Sequence, residues 1–182
     1  MTRFVAAAAA VTALALSAGA SFAANPMVGG AAMYENKNIV ENAVNSADHT
    51  TLVAAVTAAG LVETLQGDGP FTVFAPNNKA FAALPAGTVD SLLEPENKPT
   101  LTSVLTYHVV PGALTSAEIK AKIAEMGGSY MVKTVQGEDL TFRVDQQTLF
   151  VADAKGDMAR VTIPDVIQSN GVIHGIDTVL MP

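Results

Sequence analysis

The chain has 182 residues, 49% of them hydrophobic, a formal net charge of −7 and no cysteine. The acidic balance argues against nucleic acid or an anionic lipid surface as the main partner, and the missing cysteines exclude disulfides and thiolate metal sites. A chain of this length can bury enough apolar surface to fold as one domain without such cross-links.

The N-terminus has the pattern of a secretory signal peptide. Arg3 precedes an apolar run over residues 4–16, and Ser21-Phe22-Ala23 fits the small-x-small rule for cleavage. The run is shorter than the ~20 residues that a membrane-spanning helix needs. We therefore predict a signal peptide over residues 1–23, with Ala18-Gly19-Ala20 as an alternative cleavage site.

The rest of the chain is predicted to be one folded unit behind a short leader. Residues 24–37 are rich in glycine and alanine without a period, which is typical of a flexible leader. The domain is predicted over residues 38–182, and the absence of an internal repeat favours a single unit rather than a tandem array. We also expect a monomer. No second apolar span follows the signal peptide, so we expect a secreted protein, periplasmic or extracellular, without a membrane span.

Helical periodicity dominates the first two thirds of the chain. Asn38 with Glu41 has the spacing of a capping box, and Gly60 supplies a left-handed stop. Thr115 with Glu118 has the spacing of a second capping box. The apolar residues at helical spacing are Ile39, Val40, Ala43, Val44 and Ala47; Leu52, Val53, Val56 and Ala59; Ala80, Phe81 and Leu84; Val89, Leu92 and Leu93; Leu101, Val104 and Leu105; and Ile119, Ile123 and Met126.

Strand periodicity dominates the last third. Apolar and polar residues alternate over residues 140–144, the mark of a half-buried strand, and residues 153–157 have the composition of a hairpin turn. Because helices crowd the first part and strands the last, we predict an α+β fold rather than alternating βαβ units. Further strands are expected over residues 129–135, 148–152, 159–163 and 172–180.

The three histidines are the side chains that titrate near neutral pH. His49 lies at the start of a helix, where we expect a solvated surface residue. His174 shares a strand face with apolar residues, which favours a buried structural histidine over a ligand or a catalyst. Tyr107 and His108 are expected on a strand, so that one lies inside and the other nearer the surface.

Patterns for catalysis and metal binding are missing from the sequence. There is no Gly-x-Ser-x-Gly elbow, no His-Glu-x-x-His motif, no Asp-x-Asp-x-Asp-Gly calcium loop and no phosphate-binding loop. We therefore expect no catalytic residue, no metal and no cofactor.

Two segments stand out, and the pair Tyr107-His108 lies between them. In the first, residues 71–81, a short strand is stopped by Pro76, and Asn77 can cap a helix. The second, residues 170–177, reads Asn-Gly-Val-Ile-His-Gly-Ile-Asp. The three motifs, in this order, closely resemble the fasciclin domain over nearly the whole predicted unit. The motif positions are Phe71, Thr72, Phe74, Ala75, Pro76, Asn77 and Phe81 in the first segment, and Asn170, Gly171, His174 and Asp177 in the second.

The resemblance implies an α+β fold in which a wedge of two β-sheets is flanked by several α-helices. It also implies a secreted, non-enzymatic module for cell adhesion or surface binding, of the bacterial single-domain type, whose partner is a protein or glycan on a cell surface or in the extracellular matrix. In animal relatives the Tyr-His element has been linked to integrin binding, so Tyr107 and His108 are candidate contact residues. The residues alone favour a different role for Tyr107, a core tyrosine whose hydroxyl bonds locally.

Two features depart from the family pattern. The family usually has a β-branched residue after the signature histidine, where this chain has Gly175, which weakens a strand interior or admits a close neighbour. Adhesive relatives often have several copies of the domain or a membrane tether, whereas this chain is predicted to have neither. Strong multivalent adhesion is therefore not expected of this single unit. An alternative function is a periplasmic protein that binds a small molecule or a lipid in a pocket between the helices and the sheet.

Overall fold

The computed structural model describes residues 26–182, in which helices fill the first part and strands the last. The predicted signal peptide, residues 1–23, lies outside the described residues. Among the described residues, no helix is both long and apolar enough to cross a membrane. The helices of this part are α1 (Ile39–Ala43), α2 (Thr50–Ala59), α3 (Val62–Gln66), α4 (Asn78–Ala82), α5 (Thr88–Leu93), α6 (Lys98–Tyr107) and α7 (Ser116–Glu125), with a 3-10 turn over Pro95–Asn97.

The strands form one large and one small sheet, which confirms the predicted α+β class. Two short strands pair only with each other, and the other seven follow the order β4-β3-β9-β8-β7-β6-β5. The strands of the described residues are β1 (Met27–Val28), β2 (Ala31–Ala32), β3 (Phe71–Pro76), β4 (Val109–Pro111), β5 (Ser129–Lys133), β6 (Asp139–Asp145), β7 (Thr148–Ala152), β8 (Met158–Gln168) and β9 (Gly171–Ile176).

The segment predicted as a flexible leader contains the small sheet. Gly29 and Gly30 lie between β1 and β2 at φ 57° and 78°, the left-handed conformation that a two-residue hairpin turn requires. Val28 and Met33 are buried against the first helices. The glycine pair therefore forms a hairpin turn, and the predicted flexible leader contains a short hairpin with strands at Met27–Val28 and Ala31–Ala32.

Local sequence determines where several helices begin and end. Asn38 and Thr115 both form complete capping boxes, with Glu41 and Glu118 as partners, as predicted. Each such cap contributes about 1 kcal/mol to helix stability. Gly60 ends α2 in the left-handed conformation, also as predicted.

The seven-stranded sheet joins distant parts of the chain through its centre. β3 pairs in parallel with β9, so the first signature segment lies beside the last, with Phe74 opposite His174. β8 pairs with β7 through Met158–Arg160 and with β9 from Val161 onward, with two irregularities in that register. The two sheets of the expected wedge are thus connected through β8 into one series of strands.

Two apolar clusters lie on opposite sides of β3. Val73 and Ala75 face the cluster formed with the N-terminal helices, while Phe74 faces a second cluster with α7 and the strands β5 to β8. This alternation follows from the period of two in a strand. Both faces of the central strands are therefore buried, which explains the continuous apolar run in the first signature segment.

Candidate functional site

Tyr107 is the last residue of α6, and its side chain is fully buried. The hydroxyl donates to the carbonyl of Asp139 (3.2 Å) and accepts from the backbone N–H of Ala154 (2.9 Å). Burial raises the pKa of the phenol, so it stays protonated. The tyrosine connects α6 to β6 and to the turn between β7 and β8, as expected for a core tyrosine with local bonds.

His108 follows directly and is also buried. Its Nε2 accepts from the backbone N–H of Leu180 (3.0 Å), so the ring proton lies on Nδ1, which donates to the carbonyl of Val104 (2.8 Å). Burial lowers the pKa of His108 from 6.5 to about 4, and the ring is neutral at pH 7. The prediction that one member of the pair lies nearer the surface is wrong, because α6 extends through Tyr107 and both side chains point inward.

His174 lies on β9 with both ring nitrogens paired. Nδ1 accepts from the backbone N–H of Asp165 (3.2 Å), and Nε2 donates to the carbonyl of Leu114 (2.8 Å). The ring stacks on Phe74 with 5.4 Å between the centroids. Burial lowers the pKa of His174, so this histidine is also neutral at pH 7.

A serine, an aspartate and a histidine meet at this point, but not as a nucleophilic triad. Both the backbone N–H and the hydroxyl of Ser116 donate to the carboxylate of Asp165. A catalytic serine instead donates to a histidine, whose other nitrogen is held by the acid. Here both nitrogens of His174 are occupied by backbone groups, so the arrangement attaches α7 to the irregular part of β8.

The polar signature residues hold the backbone of neighbouring segments. Asn77 caps α4 by accepting from the N–H of Ala80 (2.9 Å), as predicted. The amide of Asn170 accepts from the N–H of Ile39 (3.1 Å) and donates to the carbonyls of Leu65 (2.8 Å) and Gly67 (3.1 Å). One side chain therefore connects the start of β9 to α1 and to the end of α3.

Thr72 and Asp177 act in the same way. Thr72 donates to the carbonyl of Gly112 (2.6 Å) and accepts from the N–H of Leu114 (2.8 Å). Asp177 accepts from the backbone N–H of Arg160 (2.8 Å) and pairs with its Nε (3.3 Å). Both side chains thus join segments that are distant in sequence.

The remaining signature residues are packing residues. A Cβ added at Gly171 would lie 2.0 Å from the carbonyl oxygen of Phe71, so only glycine allows β3 and β9 to approach this closely. Ala75 and Phe81 are buried in the cluster of the N-terminal helices, and Phe71 packs against this cluster. Phe74 is buried in the second cluster. Pro76 is the last residue of β3 and is also buried.

His49 is buried, and the prediction of a solvated residue is wrong. It precedes α2 without capping it, and its Nδ1 lies 2.9 Å from the hydroxyl of Ser46. Burial lowers the pKa of His49, although the carbonyl of Ala75 and the charge of Asp48 act in the opposite direction. Its Nε2 makes no hydrogen bond of normal geometry to any described residue.

An apolar cavity of about 200 Å³ lies beside His49. Its walls come from α1, α2, the small sheet and the central strands, so it occupies the space between helices and sheet. Among the described residues there is no group of three or more His, Asp or Glu side chains that could hold a metal ion.

The face of strands β5 to β8 that points away from α7 is exposed. The strand register places Met131, Thr141, Ala152 and Met158 in one row across this face. A second row contains Arg143, Phe150 and Arg160. We call these seven residues the outer sheet face.

The outer sheet face was not identified from the sequence, although one signal for it was present. Phe150 alternates with the buried Leu149 and Val151, so an aromatic residue occupies an outward position of a half-buried strand. Met131 is 64% exposed and Met158 is 54% exposed.

Comparison with known proteins identifies the family of this fold. The fasciclin domain model matches residues 47–182. The chain is 53% identical over 144 residues to protein sll1483 of Synechocystis sp., which covers 79% of this chain and 73% of that protein. It is 39% identical over 122 residues to the cell surface glycolipoprotein MPB83 of Mycobacterium bovis, which covers 67% of this chain and 48% of that protein.

A solved structure shows the same fold. The FAS1 domain pair from the insect cell adhesion molecule Fasciclin I is similar with a TM-score of 0.70 and 18% identity, which covers 80% of this chain and 51% of that chain. The chain thus spans about half the length of that structure and of the glycolipoprotein. The match of the family model and the 53% identical relative establish that this chain belongs to the fasciclin domain family, as its three motifs predict.

Proposed function

We propose that this protein is a secreted, non-enzymatic binding module that attaches to a protein on a cell surface or in an extracellular matrix through its outer sheet face. The observation that carries the proposal is the composition of this face. Phe150, half-exposed, lies between Arg143 and Arg160 in one row, and the exposed Met131 and Met158 end the other row. Methionine, aromatic residues and arginine are the types enriched in protein interfaces.

The signature residues support the proposal because their polar groups are already used inside the fold. Tyr107, His108 and His174 are buried and hydrogen-bonded, and Asn170 holds three backbone groups. Recognition then falls to exposed residues outside the motifs. Ser116 bonds to an acid rather than to a histidine, which supports a role without catalysis.

Two relatives support the location and the class of activity. One relative is a cell surface glycolipoprotein, and the structural neighbour comes from a cell adhesion molecule. The chain covers only part of each of these two proteins. A cell-surface location and an adhesion function are therefore part of our proposal for this protein. The composition of the outer sheet face favours a protein over a glycan as the partner.

The experiment is an attachment assay on surfaces coated with the purified protein, using bacterial cells and extracellular-matrix proteins as targets. The double variant Met131→Glu with Met158→Glu is expected to weaken attachment about tenfold or more, because the loss of about 1.4 kcal/mol of binding free energy lowers the affinity tenfold, and central interface residues contribute at least this much. Met27→Glu is the matched control, because Met27 is 62% exposed but lies on the separate small sheet.

Digestion of the target with protease should abolish attachment, whereas periodate oxidation of its glycans should not. Attachment that survives the double variant unchanged, or that Met27→Glu weakens equally, would show that the outer sheet face is not the binding surface.

A further inference from the structure

We propose that the apolar cavity beneath α1 and α2 binds a small, mostly apolar molecule that carries one hydroxyl group, and that this hydroxyl pairs with Nε2 of His49. This activity is separate from attachment through the outer sheet face. The proposal assigns a location and a class of ligand to the pocket between the helices and the sheet that the sequence suggested as an alternative function.

The size and lining of the cavity define the apolar part of the ligand. Leu52, Val56, Val73 and Ile173 are among the aliphatic side chains that line it. A dry cavity of 150 Å³ holds benzene, so a volume of about 200 Å³ has room for about eight heavy atoms. The ligand is therefore of the size of a substituted single ring or a short branched chain.

His49 supplies the polar anchor. The side chain is 5% exposed and lines the cavity, and among the described residues its Nε2 makes no hydrogen bond of normal geometry. The carbonyl of Ala75 acts on the ring and raises its pKa, but it does not meet that geometry. A buried polar atom without a partner destabilises the folded state, so a ligand oxygen at this atom adds a hydrogen bond that the protein itself lacks.

Few polar groups are available to hold a water molecule, and the form of the ring suits a hydroxyl. A buried water needs two to four polar partners, and apart from the two histidines the polar side chains of the lining are Ser46, Thr57, Thr64 and Thr106. His108, the other histidine in the lining, has both nitrogens occupied. Because a hydroxyl can donate or accept, it pairs with Nε2 in either tautomer of the neutral ring.

The cavity reaches the surface. Val44 and Val135 both line it, and both are exposed apolar residues. The lining therefore includes positions open to solvent, where an apolar ligand can enter. One wall, formed by α1 and the small sheet, precedes the residues 47–182 that match the family model, so this part of the cavity lies outside the matched region.

Gly175 helps to keep the cavity open. It lies on β9 opposite Ala75, on the face that lines the cavity. The nearest atoms to a Cβ added there would be Cβ of Ile163 at 3.3 Å and Oγ1 of Thr162 at 3.6 Å, both of them side-chain atoms. A β-branched side chain at this position would occupy space that the glycine leaves free.

The test compares p-cresol with p-xylene, which share a shape but differ by a hydroxyl in place of a methyl group. Binding of each to the full mature protein is measured by calorimetry. We expect the wild type to bind p-cresol, and its preference for p-cresol over p-xylene to fall about tenfold in His49→Phe, the loss of one hydrogen bond to a buried group.

Gly175→Val should weaken binding of both ligands, because the new side chain fills the cavity. Ala152→Val is the matched control, since it adds a β-branched residue to the outer sheet face, away from the cavity. Equal weakening in both variants would contradict the assignment of the site.

A measurement on the wild type avoids dependence on the folding of any variant. The ¹⁵N resonance of Nε2 of His49 is expected to shift on addition of p-cresol but not of p-xylene. Failure of the wild type to bind either compound, or a preference that is unchanged in His49→Phe, would overturn the proposal. Neither result would affect attachment through the outer sheet face, which is measured separately.

Discussion

Acidification is expected to destabilise this protein through its buried histidines, and His108 allows the size of the effect to be calculated. Its pKa is about 4 in the folded protein and 6.5 when unperturbed. As the pH falls from 6.5 towards 4, the His108 ring of the unfolded chain therefore binds a proton that the folded protein does not bind. The stabilising contribution is complete above pH 6.5 and decreases as the pH falls through this window.

The difference in proton binding at His108 lowers the free energy of unfolding by about 2 kcal/mol at pH 5 and by about 3 kcal/mol at pH 4. Burial also lowers the pKa of His49 and His174, so both add to the loss. Because domains of this kind have a total stability of roughly 5–15 kcal/mol, the loss is a large fraction of the whole.

Urea unfolding followed by circular dichroism at pH 7.5, 6 and 5 measures this loss. Most carboxylates remain ionised in this range, so the histidines dominate the change. His108→Gln removes the titrating ring; it should be less stable than the wild type at pH 7.5 but lose about 2 kcal/mol less on going to pH 5. A wild-type free energy of unfolding that is the same at pH 7.5 and pH 5, or a His108 ring that titrates near pH 6.5 by NMR, would refute the reasoning.

Three further variants test the roles of the signature residues by urea unfolding. Gly171→Ala should lower the free energy of unfolding by about 4 kcal/mol or more, because its Cβ would lie 2.0 Å from a backbone oxygen of the neighbouring strand; a loss below 1 kcal/mol would contradict the close approach. Asn170→Ala should cost about 2–4 kcal/mol, because three backbone groups lose their partner, whereas the exposed Asn45→Ala should cost less than about 0.5 kcal/mol. Tyr107→Phe should cost about 1–2 kcal/mol and leave attachment unchanged; a contact residue would show the reverse.

The features that could be predicted from the sequence depend on residues close together in the chain. The caps at Asn38, Asn77 and Thr115 are present as predicted, since each bond joins residues three positions apart. The strand predicted over residues 148–152 has the same bounds in the structure. The family resemblance extends these local signals to the whole fold, which composition and periodicity alone could not specify.

The features that could not be predicted depend on contacts between distant residues. His49 is buried near the backbone of Ala75, a residue of β3 that comes more than 20 positions later in the chain. Met126 was expected on the buried face of a helix but is exposed, because α7 ends at Glu125.

The length of β8 shows the same limit. The alternation of apolar residues predicts a strand over residues 159–163, whereas the observed strand continues past Pro164 to Gln168. The register shifts on either side of Ile163, and Asp165 adopts φ 58°, so this irregularity accommodates a proline inside a strand. The cavity and the outer sheet face likewise depend on which strands pair, and no local pattern specifies that pairing.

The position of the signature motifs in the sheet explains why they are structural. Parallel pairing of β3 with β9 brings together the first and last parts of the family-matched region, and parallel strands require a long connection between them. Gly171 permits this approach, Asn170 holds the start of β9, and Phe74 stacks on His174 across the pair. Substitution of these residues would weaken the pairing of β3 with β9, whatever the protein binds. Residues on the outer sheet face lie on β5 to β8 and take no part in this pairing, so binding specificity can change there while the fold is kept.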